Sequence, residues 1–353
     1  MDLLRAALRP DQILIASRRG RWRLPWAMFG TALAVGLTFF LLIVAQSIAE
    51  GLGLSTSGDG EASGSRLAVP GDIESYTILV SAFLPIIIAG VLTFQLVHGR
   101  PWADWPTKRI TGAWGEFGKA TAAFALVFAI GHAVGYAIFP ERYAVTPRGI
   151  AHLPWLLLGL ALILVQAFAE EAAFKGYLYR VWGAVFPYRW PLVMVLSVIF
   201  TALHWDNEDF ARDRGIAIVL FTAVTVLSYW LYFRTGSLGA ATGMHWANNV
   251  FAILVLPAGG TEFALSGLGV YTDPVLAAGG TNLTNPEAWI SIIGGIAMYV
   301  ALIVWPRSPF HIAERKPEFP ADYNSPTEPP LQLPGDDFEE PSSTTGRPPS
   351  PSA

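Results

Sequence analysis

The chain has 353 residues, of which 53% are apolar or aromatic and only 14% charged, with 13 Trp, 21 Phe and no Cys. An ordinary soluble domain carries about 25% charged residues. This chain, at a mean hydropathy of +0.43, has more apolar surface than one water-soluble core can hide, and a bilayer is the natural place for it. The absence of cysteine excludes disulfide frameworks, thiolate metal sites, cysteine nucleophiles and iron–sulfur clusters. The formal net charge of -4 identifies no partner, and nothing points to nucleic acid.

Crossing roughly 30 Å of hydrocarbon takes an apolar run of about 17 to 25 residues. Eight candidates follow one another: Trp26 to Ile48, Thr77 to Val97, Phe117 to Phe139, Pro154 to Val181, Pro191 to Trp205, Ile216 to Phe233, Ser237 to Leu256 and Ala288 to Trp305. The fold expected is therefore all-α, a polytopic integral membrane bundle of about eight transmembrane helices. The fifth run is short and the fourth is interrupted by Glu170 and Glu171, so irregularity is concentrated there. The first run is too long for the 7 to 15 residues of a signal-peptide core and reads as an uncleaved anchor. Residues 2 to 9 place Leu3, Leu4, Ala7 and Leu8 on one side of a helical wheel beside Arg5 and Arg9. Either a helix along the inner leaflet or a frayed basic tail accounts for them. Residues 317 to 353 hold ten prolines in 37 positions, and such a composition cannot offset its chain entropy by burial. A disordered, solvated tail is expected there.

Basic residues are retained on the cytoplasmic side of a membrane. With a cytoplasmic N-terminus, 18 Lys and Arg fall inside and five outside, the latter being Arg66, Arg142, Arg148, Arg212 and Arg214. Both termini are accordingly placed in the cytoplasm, which agrees with an even number of spans. The cell inner (plasma) membrane is the expected location.

A charge at the centre of a span costs roughly 2.5 to 3.5 kcal/mol on insertion scales, so each one calls for an explanation. The fourth run carries AEEAAFKGYLYR, with Glu170 and Glu171 adjacent and Lys175 following; the fifth ends in FTALHW with His204; the seventh carries GMHWANN, with His245 and Asn249 one turn apart. Glu171 and Lys175 are spaced i, i+4 with the acid first, the favourable order for an intrahelical ion pair. Glu170 is rotated about 100° away from Glu171 and is free for chemistry. At 1.5 Å rise per residue, Glu170, His204 and His245 lie about 16, 20 and 12 Å from the cytoplasmic side, a comparable depth on three different spans. A carboxylate and an imidazole together can take a proton from water and later deliver it to a leaving amine. A second histidine with an amide one turn away offers donors for an oxyanion. That is peptide hydrolysis without serine or cysteine. Glu170, His204 and His245 also have the donor chemistry for a zinc with one open position. The HExxH pair is absent from the sequence, which favours the metal-free reading with no cofactor.

At these residues the sequence resembles a family. EEAAFKG, FTALH and HWANN are similar to the three motifs EExxxR, FxxxH and HxxxN/D of the CPBP (CAAX protease and bacteriocin-processing, or Abi) intramembrane proteases. The resemblance covers Glu170 to Asn249, in order and on separate spans. It implies that Glu170 and His204 activate water and that His245 and Asn249 support the oxyanion. Lys175 stands where the family usually has Arg, keeping the charge and losing the bidentate fork.

Other conspicuous residues have plainer readings. His132 is a satisfied core histidine, Trp205 and Trp246 are packing or interfacial residues, and the acidic stretch Asp206 to Asp213 is a solvated loop. The domains expected are a basic cytoplasmic segment (1–24), three transmembrane helices (25–149), a CPBP-type peptidase core (150–256), an outer loop and last helix (257–305) and a cytoplasmic tail (306–353). The activity expected is intramembrane endopeptidase action on a hydrophobic or lipid-anchored peptide or protein substrate, with the lipid bilayer as the other partner. A non-catalytic scaffold or immunity-type protein of the same fold is the alternative. A proton-coupled transporter is a further one, although the first four runs lack the second broken, charged helix that paired repeats provide. On this reading, reporter fusions at residues 60 and 265 should report outside and those at 105 and 330 inside. A cytoplasmic signal at residue 60 would overturn the orientation.

Overall fold

The computed structural model describes residues 21–51, 73–100, 113–145, 150, 153–205, 213–256, 268–277 and 281–314. Residues 2 to 9, most of the acidic stretch and the proline-rich tail therefore lie outside the described residues. Helix α1 spans Leu24–Gly51, α2 spans Ile73–Leu96 and α3 spans Ala113–Ile138. Helix α4 (Leu153–Glu171) runs without a break through a π-helical stretch (Ala172–Leu178) into α5 (Tyr179–Val185). Then come α6 (Arg189–Leu203), α7 (Arg214–Thr235) and α8 (Gly239–Val250), the last continued by a second π stretch (Phe251–Val255). A four-residue α9 (Pro274–Ala277) precedes the final α10 (Pro286–Val304).

The chain is an all-α membrane bundle. Among the described residues, five helical stretches are long and apolar enough to cross a bilayer: Leu24–Ile48, Ala113–Ile138, Leu156–Val185, Arg214–Thr235 and Pro286–Val304. Their outer faces carry Phe39, Phe40, Ile43, Ile290 and Ile293, all well exposed, as lipid-facing surfaces require. The largely apolar interior also encloses polar groups, with Glu171, Lys175, Ser228 and His245 all inside. Helices α6 and α8 are shorter. Helix α8 packs against α3, α4 and α7, and α6 packs against α5 and α7.

Two glycines set how closely α8 approaches α3. A Cβ on Gly239 would strike the Ala113 backbone, and one on Gly243 would strike the Phe117 carbonyl and the Thr121 hydroxyl. This small-xxx-small spacing lets two backbones touch in a membrane, where association relies on close packing. The Thr121 hydroxyl donates to the Gly243 carbonyl at 3.0 Å across the contact. His245, two residues on, is thereby held at a fixed depth.

Just beyond the C-terminal end of α2, His98 Nδ1 donates to the Arg21 carbonyl and Nε2 accepts from the Tyr177 hydroxyl, each at 3.0 Å. Burial pushes the His98 pKa down from its ordinary value against the raising effect of the Arg21 hydrogen bond, a direction that favours the neutral ring whose Nε2 can accept. The start of α1 is thus tied to the π stretch that carries the site.

Two features depart from expectation. Beyond the helices, Tyr143–Val145 (β1) and Gly269–Tyr271 (β2) pair antiparallel, with Tyr143 opposite Tyr271. Three-residue strands leave no readable alternation in a sequence. Asp213, assigned above to a solvated loop, is buried. Its Oδ1 caps α7 at Ile216 N and accepts from Thr281 Oγ1 at 2.9 Å, while Oδ2 accepts from Asn282 N. A carboxylate with three donors is satisfied by protein rather than water, which clamps the start of α7 to the entry of α10.

The close contact predicts that Gly243→Val destabilises the detergent-solubilised protein by about 1 to 3 kcal/mol, the usual cost of overpacking, and lowers its melting temperature. Gly36→Ala is the control, since a Cβ there meets nothing within 4 Å. Equal melting of both variants would refute the α3–α8 contact.

Candidate active site

The site grows from the π stretch. Between Ala172 and Leu178 the helix admits one extra residue per turn, and the Tyr179 N–H bonds the Phe174 carbonyl, five residues back. Such bulges are costly in isolation and frequent at functional sites. A neighbouring helix supports this one: the Tyr229 hydroxyl of α7 donates to the same Phe174 carbonyl at 3.2 Å. The Tyr229 ring also lies 4.3 Å from Lys175 Nζ, a favourable position for a cation.

Glu171 opens the stretch and its carboxylate is fully used. Oε2 accepts from Lys175 Nζ at 2.6 Å and from the Ser228 hydroxyl at 2.9 Å. Oε1 accepts from His245 Nδ1 at 3.0 Å. A carboxylate buried to 3% exposure is tolerable only when paired and hydrogen-bonded, and these three donors meet that condition.

Glu170 is only half used. Oε1 accepts from Gln166 Nε2, one turn earlier, at 3.3 Å, while Oε2 is buried with no hydrogen-bond partner among the described residues. That free oxygen lies 3.5 Å from His245 Nε2 and 3.9 Å from His204 Nε2. Each imidazole has its other nitrogen fixed, His245 by Glu171 and His204 by donation from Nδ1 to the Phe200 carbonyl at 2.7 Å. Phe200 and Phe221 flank the His204 ring at centroid distances of 4.3 and 5.1 Å. Both Nε2 atoms therefore converge on one carboxylate oxygen within an apolar wall.

Helices α4, α6 and α8 thus bring Glu170, His204 and His245 together. Asn249 lies one turn beyond His245, and its Oδ1 accepts from Asn248 Nδ2 at 3.0 Å; among the described residues it makes no hydrogen bond to the other three. His245 is nearer to Glu170 than His204 is, and it also joins Glu170 to the Glu171–Lys175 pair. That link spans 74 positions and left no mark in the sequence. Ser228, one polar residue in the apolar run of α7, was equally silent, whereas Gln166 could have been found from its i, i+4 spacing to Glu170. Trp246 donates to the Leu160 carbonyl at 2.9 Å, and Trp205 lies under the Arg214 guanidinium at 5.1 Å. His132 meets the Tyr143 hydroxyl at 3.4 Å and the rings of Phe128 and Tyr271, away from the site. Among the described residues no group of three or more His, Asp or Glu is arranged to hold a metal ion.

Residues 151–251 match the family described as type II CAAX prenyl endopeptidase Rce1-like. The match contains Glu170, Glu171, Lys175, His204, His245 and Asn249. An uncharacterized protein, YyaK of Bacillus subtilis (strain 168), is 25% identical over 173 residues, 48% of this chain and 57% of that protein. The alignment thus spans little more than half the length of that curated relative. No solved structure matches the chain.

The pairing of Glu171 generates a stability prediction. Lys175→Ala leaves a buried carboxylate short of its cation, at a cost of about 3 to 5 kcal/mol, whereas Lys175→Arg keeps the charge and should melt near the parent. Thermal unfolding in detergent decides it, and parental melting of Lys175→Ala would remove the ion pair from the account.

Proposed function

We propose that this integral membrane protein, whose residues 151–251 match the Rce1-like CAAX prenyl endopeptidase family, is an active intramembrane endopeptidase of the CPBP/CAAX type. The observation that carries the reading is the free, buried Oε2 of Glu170 between two imidazoles. In this mechanism a water hydrogen-bonds to Glu170 Oε2 and His204 Nε2 and gives up a proton to the Glu170 carboxylate as it attacks the scissile carbonyl. The bond formed is water oxygen to carbonyl carbon. The oxyanion that results is met by His245 and Asn249, as pre-aimed donors in a low-dielectric site are more effective than water. Because His245 already donates from Nδ1, its Nε2 has a hydrogen to offer only when the ring is an imidazolium. The C–N bond then breaks, and Glu170 returns the proton to the leaving amine.

The substrate class proposed is a peptide segment within or at the membrane, hydrophobic or lipid-anchored. The location proposed is the cell inner (plasma) membrane with both termini in the cytoplasm, on the strength of the basic-residue asymmetry. The reading is metal-free. A zinc held by Glu170, His204 and His245 is the competing version of the same site, and chelation separates the two.

Glu170→Gln keeps the size and cannot take a proton, and His204→Asn removes the imidazole. Each should cut turnover by about 10² to 10⁴, the usual share of general acid–base catalysis. His245→Ala and Asn249→Ala should each lower it by about 10² to 10³. Cleavage of a membrane-anchored reporter peptide, alongside melting to certify the fold, reads all four, and exhaustive chelation should leave the parent active. Parental cleavage by Glu170→Gln would overturn the role of Glu170 as proton acceptor, and a folded parent that cleaves nothing would leave the non-catalytic scaffold. Activity lost to chelator and restored by zinc would establish the metal version.

A further inference from the structure

We infer that Ser228, on α7 and outside all three motifs, is a positioning residue that fixes the Glu171 carboxylate and through it the tautomer and orientation of His245. The inference rests on the hydrolytic reading of the site and adds a member to it. Ser228 is 2% exposed and sits inside an otherwise apolar stretch, VLSYW. Its hydroxyl has one described partner, Glu171 Oε2 at 2.9 Å. Lys175 Nζ shares that oxygen at 2.6 Å.

The geometry of this sharing gives the serine its task. An ammonium on a four-carbon stem is a mobile point charge that fixes distance better than direction. Left with Lys175 alone, the carboxylate can rotate about its last torsion and still keep its ion pair. A second donor arriving from a different helix removes that freedom. With Oε2 pinned by two donors, Oε1 has one direction left to face, and His245 Nδ1 lies along it at 3.0 Å. An Nδ1–H held by a carboxylate leaves Nε2 as the nitrogen presented to Glu170, 3.5 Å away. The next residue works on the same stretch: Tyr229 covers the Lys175 ammonium and bonds the Phe174 carbonyl. Helix α7 thereby grips the π stretch at the carboxylate, the ammonium and the backbone in two consecutive residues.

Outer-shell donors of this kind orient an imidazole, and their loss commonly costs 10- to 100-fold in function. Ser228→Ala should lower kcat roughly tenfold and leave KM within about twofold, because the residue touches no substrate. Ser228→Thr, which keeps the hydroxyl, should restore most of kcat. Independently of activity, nitrogen-15 NMR of histidine-labelled protein in detergent reads the His245 ring, assigned by difference from His245→Gln. Titrated to the pH at which the ring has lost its second proton, the parent should show hydrogen on Nδ1, and Ser228→Ala should move the two nitrogen signals toward the averaged tautomers of free imidazole. If Ser228→Ala does not survive extraction, Ser228→Cys, nearly isosteric and a weak donor, gives the same comparison.

Parental kcat with unmoved His245 signals overturns the inference, and so does a lowered melting temperature with both unchanged. Failure of the hydrolytic reading is seen elsewhere, in cleavage by Glu170→Gln. In that event the nitrogen-15 spectra still decide whether Ser228 sets His245.

Discussion

The arrangement depends on one buried carboxylate. Glu171 lies among apolar helices where an unpaired charge would be costly, and it is held there by an ammonium from its own helix, a hydroxyl from α7 and an imidazole from α8. Three helices therefore meet at a single functional group. The hydrophobic effect does not drive helices together inside a bilayer, so polar contacts and close packing must. Here the polar contact at the centre and the glycine contact between α3 and α8 act at different levels of the bundle and together fix α8 in rotation and depth.

Adjacent glutamates in one environment would be expected to behave alike, and the structure separates them by partner count. Glu171 spends both oxygens on cross-helix contacts, while Glu170, about 100° around the helix, keeps one free and aimed at two imidazoles. The same helical turn supplies a saturated group that holds the bundle and an unsaturated one available for proton transfer. Burial excludes bulk water from both, but only the second has an oxygen that a water could use.

Much of this was legible in the sequence because helical contacts repeat at short spacing. Glu171 with Lys175, and Gln166 with Glu170, are i, i+4 neighbours, and the membrane class follows from composition and run length. The order of the charged motifs on separate apolar runs also brought Glu170, His204 and His245 to one depth before any coordinates. What stayed hidden depends on tertiary placement. The Glu171–His245 bond joins residues 74 positions apart, and Ser228 has no local partner to announce it. The π stretch at Ala172–Leu178 has ordinary helix formers, and its stabiliser, Tyr229, comes from another helix. The burial of Asp213 has no local signal, because its donors Thr281 and Asn282 are far along the chain.

Helix α8 carries a consequence for how the protein is made. Its twelve residues include His245, Asn248 and Asn249, and it is not among the helices apolar enough to cross a bilayer unaided. A nascent chain that offered this segment alone to lipid would gain little by partitioning there. The partners that make its burial favourable, α3, α4 and α7, are all synthesised before it. Integration of α8 is thus a docking event onto a part of the bundle already made, and His245 and Asn249 are the last residues of the site to enter the membrane. Assembly and completion of the site coincide, so the Glu170 oxygen gains its second imidazole, that of His245, only when α8 has docked.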